Sequence, residues 1–160
     1  MDARGVLLFL HLLGFALWLG VGFTLALLTV QANRSEDRGV SAFVYRAGLR
    51  LLKGPGVVGM ILTVGSGFAL VSTVPGYGFF QPFPDHWLFQ MQLLGVLAAL
   101  LMVAVQIPNA DRLARAAEAT AAADEASASF VRFRKRNALV SSAIGVLLIA
   151  AILMGATRPG

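Results

Sequence analysis

Two histidines, His11 and His86, are the side chains best suited to chemistry at a fixed point in this sequence. His11 lies within Val6–Val30, where no acid, lysine or arginine accompanies it. An ionisable group in such a stretch must find a partner and is a functional-site candidate by default. A neutral imidazole offers one nitrogen as donor and the other as acceptor or metal ligand. Three chemistries suit that ring. It can ligate a haem iron, with Met154 or His86 as the other axial ligand. It can bind copper alongside Met91, Met154 or His86. Or it can hydrogen-bond to Gln92 and lock two helices together. His11 stands about 8 Å inside the start of its segment at 1.5 Å per residue. Gln92, five residues past Trp87, falls at nearly the same depth, and Met154 slightly shallower. Trp18 shares a helical stripe with His11 and completes the cofactor-binding set of His11, Gln92, Trp18 and Met154. The metal-binding set is His11, His86 and Met154.

Other chemistry is missing. There is no cysteine, which removes disulfides, zinc-thiolate sites, iron–sulfur clusters and thiol nucleophiles. No acid occurs within the apolar segments, and no Ser–His–Asp set, phosphate-cradling glycine loop or metalloprotease motif is present. A proton-coupled pump and a membrane hydrolase are poor fits.

The elements that must position these residues follow from where charge is absent. The 160 residues are 58% hydrophobic and 13% charged, with a mean hydropathy of +0.77. A typical soluble domain carries about 25% charged residues. That excludes a disordered tail and a typical cytosolic enzyme. Charge-free intervals of 29, 31, 25 and 21 residues fall between Arg4 and Arg34, Lys53 and Asp85, Asp85 and Asp111, and Arg136 and Arg158. Each can hold a membrane-spanning helix, which needs about 20 mostly apolar residues. The spans are placed near Val6–Val30, Gly56–Val74, Trp87–Ile107 and Ala138–Ala156. The first is too long for a signal-peptide core of about 7–15 residues and is expected to be retained. The expected fold is all-α, a single domain over residues 1–160, built as a four-span helix bundle.

Lysine and arginine set the orientation. Of the 13 basic residues, 11 lie in the first and third connections, leaving Arg4 and Arg158 on the other side. The positive-inside rule then puts both termini outside. The net charge of +5 is thus a topology signal, with some contact to anionic headgroups, and nucleic acid is not an expected partner. The first connection shows helical spacing at Val40, Phe43, Val44, Ala47 and Leu51; it should lie along the interface or extend the second span. Between Ala110 and Ala128 there is neither glycine nor proline, so the flanking helices should continue beyond the membrane, with a kink near Pro108. The outer connection from Pro75 to Trp87, rich in Pro, Gly and aromatic residues, reads as an interfacial lid.

Glycine and polar stripes should mark the inside of the bundle, because lipid removes any hydrophobic drive for helices to associate. These are His11, Gly14, Trp18 and Gly22; Gly56, Gly59, Thr63 and Gly67; Gln92, Gly95, Ala99, Met102 and Gln106; and Asn137, Ser141 and Gly145.

The run from His11 to Gly20 resembles the opening of a group of small bacterial four-span proteins. The group includes the HemJ-type protoporphyrinogen oxidase, the membrane domain of CopD-type copper-resistance proteins, and uncharacterised predicted integral membrane proteins, which match best overall. The likeness continues through Gly56–Gly67, Trp87–Val96, Phe133–Asn137 and the closing Arg158-Pro159-Gly160, and covers nearly the whole chain. In the HemJ-type enzymes a first-span histidine ligates haem, which His11 matches. Their essential third-span lysine falls at Gln92, and Ala138 stands where an acid should follow Asn137, so the resemblance does not carry oxidase activity across. It implies a multi-pass protein of the bacterial inner membrane that holds haem b near its outer face for electron transfer or haem handling. Copper handling and a non-catalytic role in a homo-oligomer or larger membrane complex are the alternatives.

The orientation is testable because no native cysteine interferes. Phe79→Cys and Arg158→Cys should react with an impermeant thiol reagent applied to intact cells, whereas Arg50→Cys and Glu118→Cys should not. Labelling of the second pair alone would reverse the topology.

Overall fold

A carboxylate starts each of the first two helices. Asp2 accepts a hydrogen bond from the Gly5 amide at 2.9 Å, and Asp37 accepts from the Gly39 amide at 2.7 Å. Each satisfies a donor that the first helical turn leaves unpaired. In the computed structural model, which describes residues 2–35, 37–75, 87–123 and 127–157, four long helices follow. They run Ala3–Arg34, Arg38–Ser72, Trp87–Ala121 and Ala128–Thr157, each long and apolar enough to cross a membrane. No strand occurs among the described residues. Three of the expected spans lie inside these helices, while the second helix ends at Ser72, short of the expected Val74; all four helices run on past the spans at the basic end. The first connection is resolved in favour of extension: residues from Arg38 onward form the lower half of the second helix. The expected outer lid, with His86, lies outside the described residues.

Two prolines shape the middle of the bundle. Pro55 sits within a π-helical turn, Leu52–Gly56, and Pro108 follows a second one, Met102–Gln106. Proline has no N–H to donate and its ring clashes with the carbonyl four residues earlier. A wide turn accommodates that defect. The Val57 and Ile107 amides instead reach back five residues, to the Leu52 and Met102 carbonyls. The two wide turns meet across the bundle, since a Cβ on Gly56 would lie 3.3 Å from Met102 Cε. Met102 is fully enclosed.

These turns separate two cores. Trp18, Leu52, Ala98, Met102, Ile144 and Leu148 fill the membrane-spanning half. The second core, at the basic end, gathers Ala32, Tyr45, Leu49, Leu113, Ala117 and Phe130, with Tyr45 and Phe130 edge to face at 5.8 Å. Around it Arg46 pairs with Glu118, and Asp111 with Lys53 and Arg115. Deeper in, Gln106 Nε2 donates to Ser141 Oγ at 2.9 Å and Asn109 Nδ2 to the Phe133 carbonyl at 3.0 Å. Phe9, Leu12, Phe23, Leu27, Ile61, Leu139 and Val146 all stand exposed. Such a surface suits hydrocarbon rather than water.

The first helix packs most closely on the second, and the third on the fourth. Glycine explains the first pairing. A Cβ built on Gly59 would lie 2.7 Å from the Trp18 nitrogen and 2.8 Å from the Gly14 carbonyl oxygen; one on Gly14 would lie 2.7 Å from the Thr63 nitrogen. The two backbones therefore touch. Gly22 and Gly145, expected in the same interior stripes, have open space around them, so two of the four stripes end sooner than their spacing implied.

Gly59→Ala should lower thermal stability in detergent, and Gly59→Leu should prevent the first two helices from docking. Gly65, on the same helix, has nothing within 4 Å of its Cβ position. Gly65→Ala should leave stability unchanged or raise it by up to about 1 kcal/mol, the helix-propensity gain. Equal responses at the two positions would mean the glycine contact does not hold the bundle.

Candidate functional site

Close approach of the first two helices decides what His11 can touch. Its ring reaches the second helix, where Nδ1 lies 2.8 Å from the Thr63 carbonyl oxygen. A carbonyl only accepts, so Nδ1 carries the hydrogen, and in the neutral form of that tautomer the lone pair is on Nε2. The Ser66 hydroxyl is 3.5 Å from the same Nδ1. Gly67 makes room for the ring, since a Cβ there would lie 3.0 Å from His11 Cε1 and 3.1 Å from Nδ1. Thr63 and Ser66 turn their own hydroxyls back onto the Gly59 and Leu62 carbonyls, which satisfies both hydroxyls within their own helix.

His11 stands on the wall of a cavity of about 390 Å³ to which all four helices contribute. That lies within the range of about 300–1,000 Å³ found for small-molecule pockets. Phe15 and Trp18 continue the first helix's side, and Thr63, Gly67 and Val71 form that of the second. Met91, Gln92 and Gly95 face them from the third helix. Leu148, Ala151, Ile152 and Gly155 close the circle from the fourth. The lining is almost wholly apolar, with the imidazole and the Gln92 amide as its main polar features.

The candidate residues sort accordingly. His11, Gln92 and Trp18 are brought to one cavity. Gln92 lines the same cavity as His11, and His11 Nδ1 engages the second helix. Met154 is half-buried and does not line the cavity. Depth alone had suggested it. The fourth helix turns residues 148, 151, 152 and 155 inward, and 154 points about 100° away from 155. Met91 is the thioether on the wall, and a Cβ on Gly155 would lie 3.2 Å from its sulfur. His86 lies outside the described residues. Among the described residues no three His, Cys, Asp or Glu side chains gather to hold a metal ion, so a metal would have to enter on a single imidazole or as part of a larger ligand.

Some participants escaped the sequence reading. Ser66 beside His11 carried no signal apart from its polarity. The Thr63 carbonyl is backbone and invisible to side-chain pattern. Gly155 could have been found, as a small residue fourteen positions and close to four helical turns beyond Ser141.

Neither the curated proteins nor the solved structures include a significant match to this sequence. The finer resemblance, to HemJ-type oxidases and CopD-type proteins, therefore has no match behind it. A family described as predicted integral membrane proteins does match, over residues 5–159. With four apolar spans around one cavity and a family match along almost its full length, the chain belongs to the DUF2269 family of integral membrane proteins.

Proposed function

We propose that this multi-pass membrane protein binds haem b in the four-helix cavity, where His11 Nε2 would hold the iron, and serves in electron transfer or haem handling. One observation carries the reading: the Nδ1–Thr63 carbonyl bond. A backbone acceptor on one ring nitrogen fixes the histidine ring and leaves the other nitrogen to a metal. The cavity's size and apolar walls suit a flat, hydrophobic ligand. Arg4 supports the same reading, because seven residues is close to two helical turns. It therefore stands on His11's side of the first helix, about 10 Å nearer the membrane surface, where a cation could meet a ligand's carboxylates. When bound, a haem would supply one-electron chemistry at the iron. The protein would hold, orient and shield it. Met91 favours a second reading, copper held by imidazole and thioether, which suits the softer ligand set.

The test is an absorption spectrum of freshly purified protein, with iron and copper measured alongside. Wild type should show a Soret band that His11→Ala abolishes. Gly67→Ala, which crowds the ring, should shift or weaken it. Met154→Leu should leave the spectrum unchanged. Copper loss in His11→Ala and Met91→Leu, without a Soret band, would replace haem by copper. Colourless, metal-free protein that cannot be reconstituted, and that loses only on the order of 1 kcal/mol of stability in His11→Ala, would overturn both.

A further inference from the structure

In the membrane-spanning half the helices associate as two pairs, first with second and third with fourth. The cavity lies between the pairs, so its two seams run from first to fourth helix and from second to third. The seams differ. Val71 of the second helix and Leu88 of the third line the cavity and are 5% and 7% exposed, so that side is closed. Towards the middle of the bundle Trp18 and Leu148, both buried, form the floor. Leu12 of the first helix and Ile152 of the fourth also line the cavity, yet they stand 59% and 44% exposed. A side chain that belongs both to a cavity wall and to the outer surface marks the edge where the two meet. Leu12 is eight residues beyond Arg4, about 12 Å along the helix. The polar layer on each face of a bilayer, about 5–8 Å, ends short of that depth. Leu8, Leu13, Ile149 and Leu153 are exposed as well and continue the rim as apolar surface.

We infer that the cavity opens sideways into the bilayer between the first and fourth helices, and that its ligand is a largely apolar molecule dissolved in the leaflet away from the basic end. The energetics of transfer select such an occupant. Passage through an apolar mouth exchanges one hydrocarbon surrounding for another, with no polar surface to strip of water. An ion or a polar solute would first have to enter hydrocarbon, at the full cost of its lost hydration. Inside, all four helices offer apolar contact, and His11 and Gln92 are the groups that would orient a ligand by whatever polar atom it carries. The route is the same whether or not haem is the molecule that takes it.

Trp18 on the cavity floor is a built-in probe, because the chain has only two tryptophans and Trp87→Phe leaves it alone. That variant, full length in nanodiscs of phosphatidylcholine, is titrated with 1-bromooctane, a contact quencher that partitions into hydrocarbon. A second titration uses acrylamide, which quenches from water. Bromooctane should quench Trp18 fluorescence with a saturable dependence on its concentration in the lipid, and acrylamide should leave it bright. Adding Leu12→Phe and Ala156→Phe, which place bulk on two exposed positions of the rim, should remove most of the bromooctane quenching. Adding Leu13→Phe instead, exposed but off the cavity wall, should remove none. Melting temperatures show that each variant is folded; if the double rim variant is not, either single substitution serves, with partial loss of quenching expected. Acrylamide quenching as strong as that by bromooctane would mean that the mouth opens to water. Absent bromooctane quenching, or quenching that the rim substitutions leave unchanged, would mean that no lateral mouth exists. Any of these results would overturn the lateral mouth. No haem enters the measurement, so a protein that binds none would sink that reading and leave this one standing.

Discussion

The upper half of the bundle depends on how closely the first helix approaches the second. Nothing hydrophobic draws two helices together in hydrocarbon, since lipid tails are as apolar as leucine. Contact between backbones is what remains, and Gly14 against Gly59 supplies it. Because the main chains meet there, His11, one turn away, can reach a main-chain carbonyl on its neighbour. Gly67 admits the ring at that point. Wider separation would leave the imidazole nitrogens facing hydrocarbon, where an unsatisfied polar group is costly. The tautomer of His11, and hence the availability of Nε2, is therefore a consequence of two glycines.

The middle and lower parts of the molecule follow a different logic. The two π turns absorb Pro55 and Pro108 without ending their helices, and they meet around Met102. Above them the walls are apolar and part to leave a ligand-sized cavity. Below them the helices are joined by aromatic contacts, ion pairs and hydrogen bonds of the kind found in soluble proteins. One chain thus carries two cores under two solvents. Two of its recesses differ in kind: an apolar one with a single imidazole, and one at the basic end lined by Arg38 and Arg134.

Much of this was legible in the residues. Four charge-free intervals predict four spans, and the structure has four helices long and apolar enough to be them. The stripe through Gly56, Gly59, Thr63 and Gly67 marks a true interface, as does the pairing of Gln106 with Ser141. Less legible was which face of a helix a residue occupies when nearly all its neighbours are apolar. Met154 was placed by depth and belongs elsewhere, while Met91 takes the wall. Gly22 and Gly145 fit the periodicity of a seam and face open space.

Sequence by itself determined that this chain crosses a membrane four times, which ends share a side, and that one histidine lies among apolar residues. Those properties depend on summed transfer energies and charge counts, which are additive along the chain. Only the tertiary structure decided that His11 bonds the Thr63 carbonyl, that Met91 rather than Met154 shares its cavity, and that Arg38 and Arg134, nearly a hundred residues apart, line one recess. Each of those outcomes depends on the rotation of one helix against another. In a bundle whose helices are apolar on every side, that rotation is set by the fit of glycines and wide turns between partners, a property of pairs of surfaces that no single stretch of sequence contains.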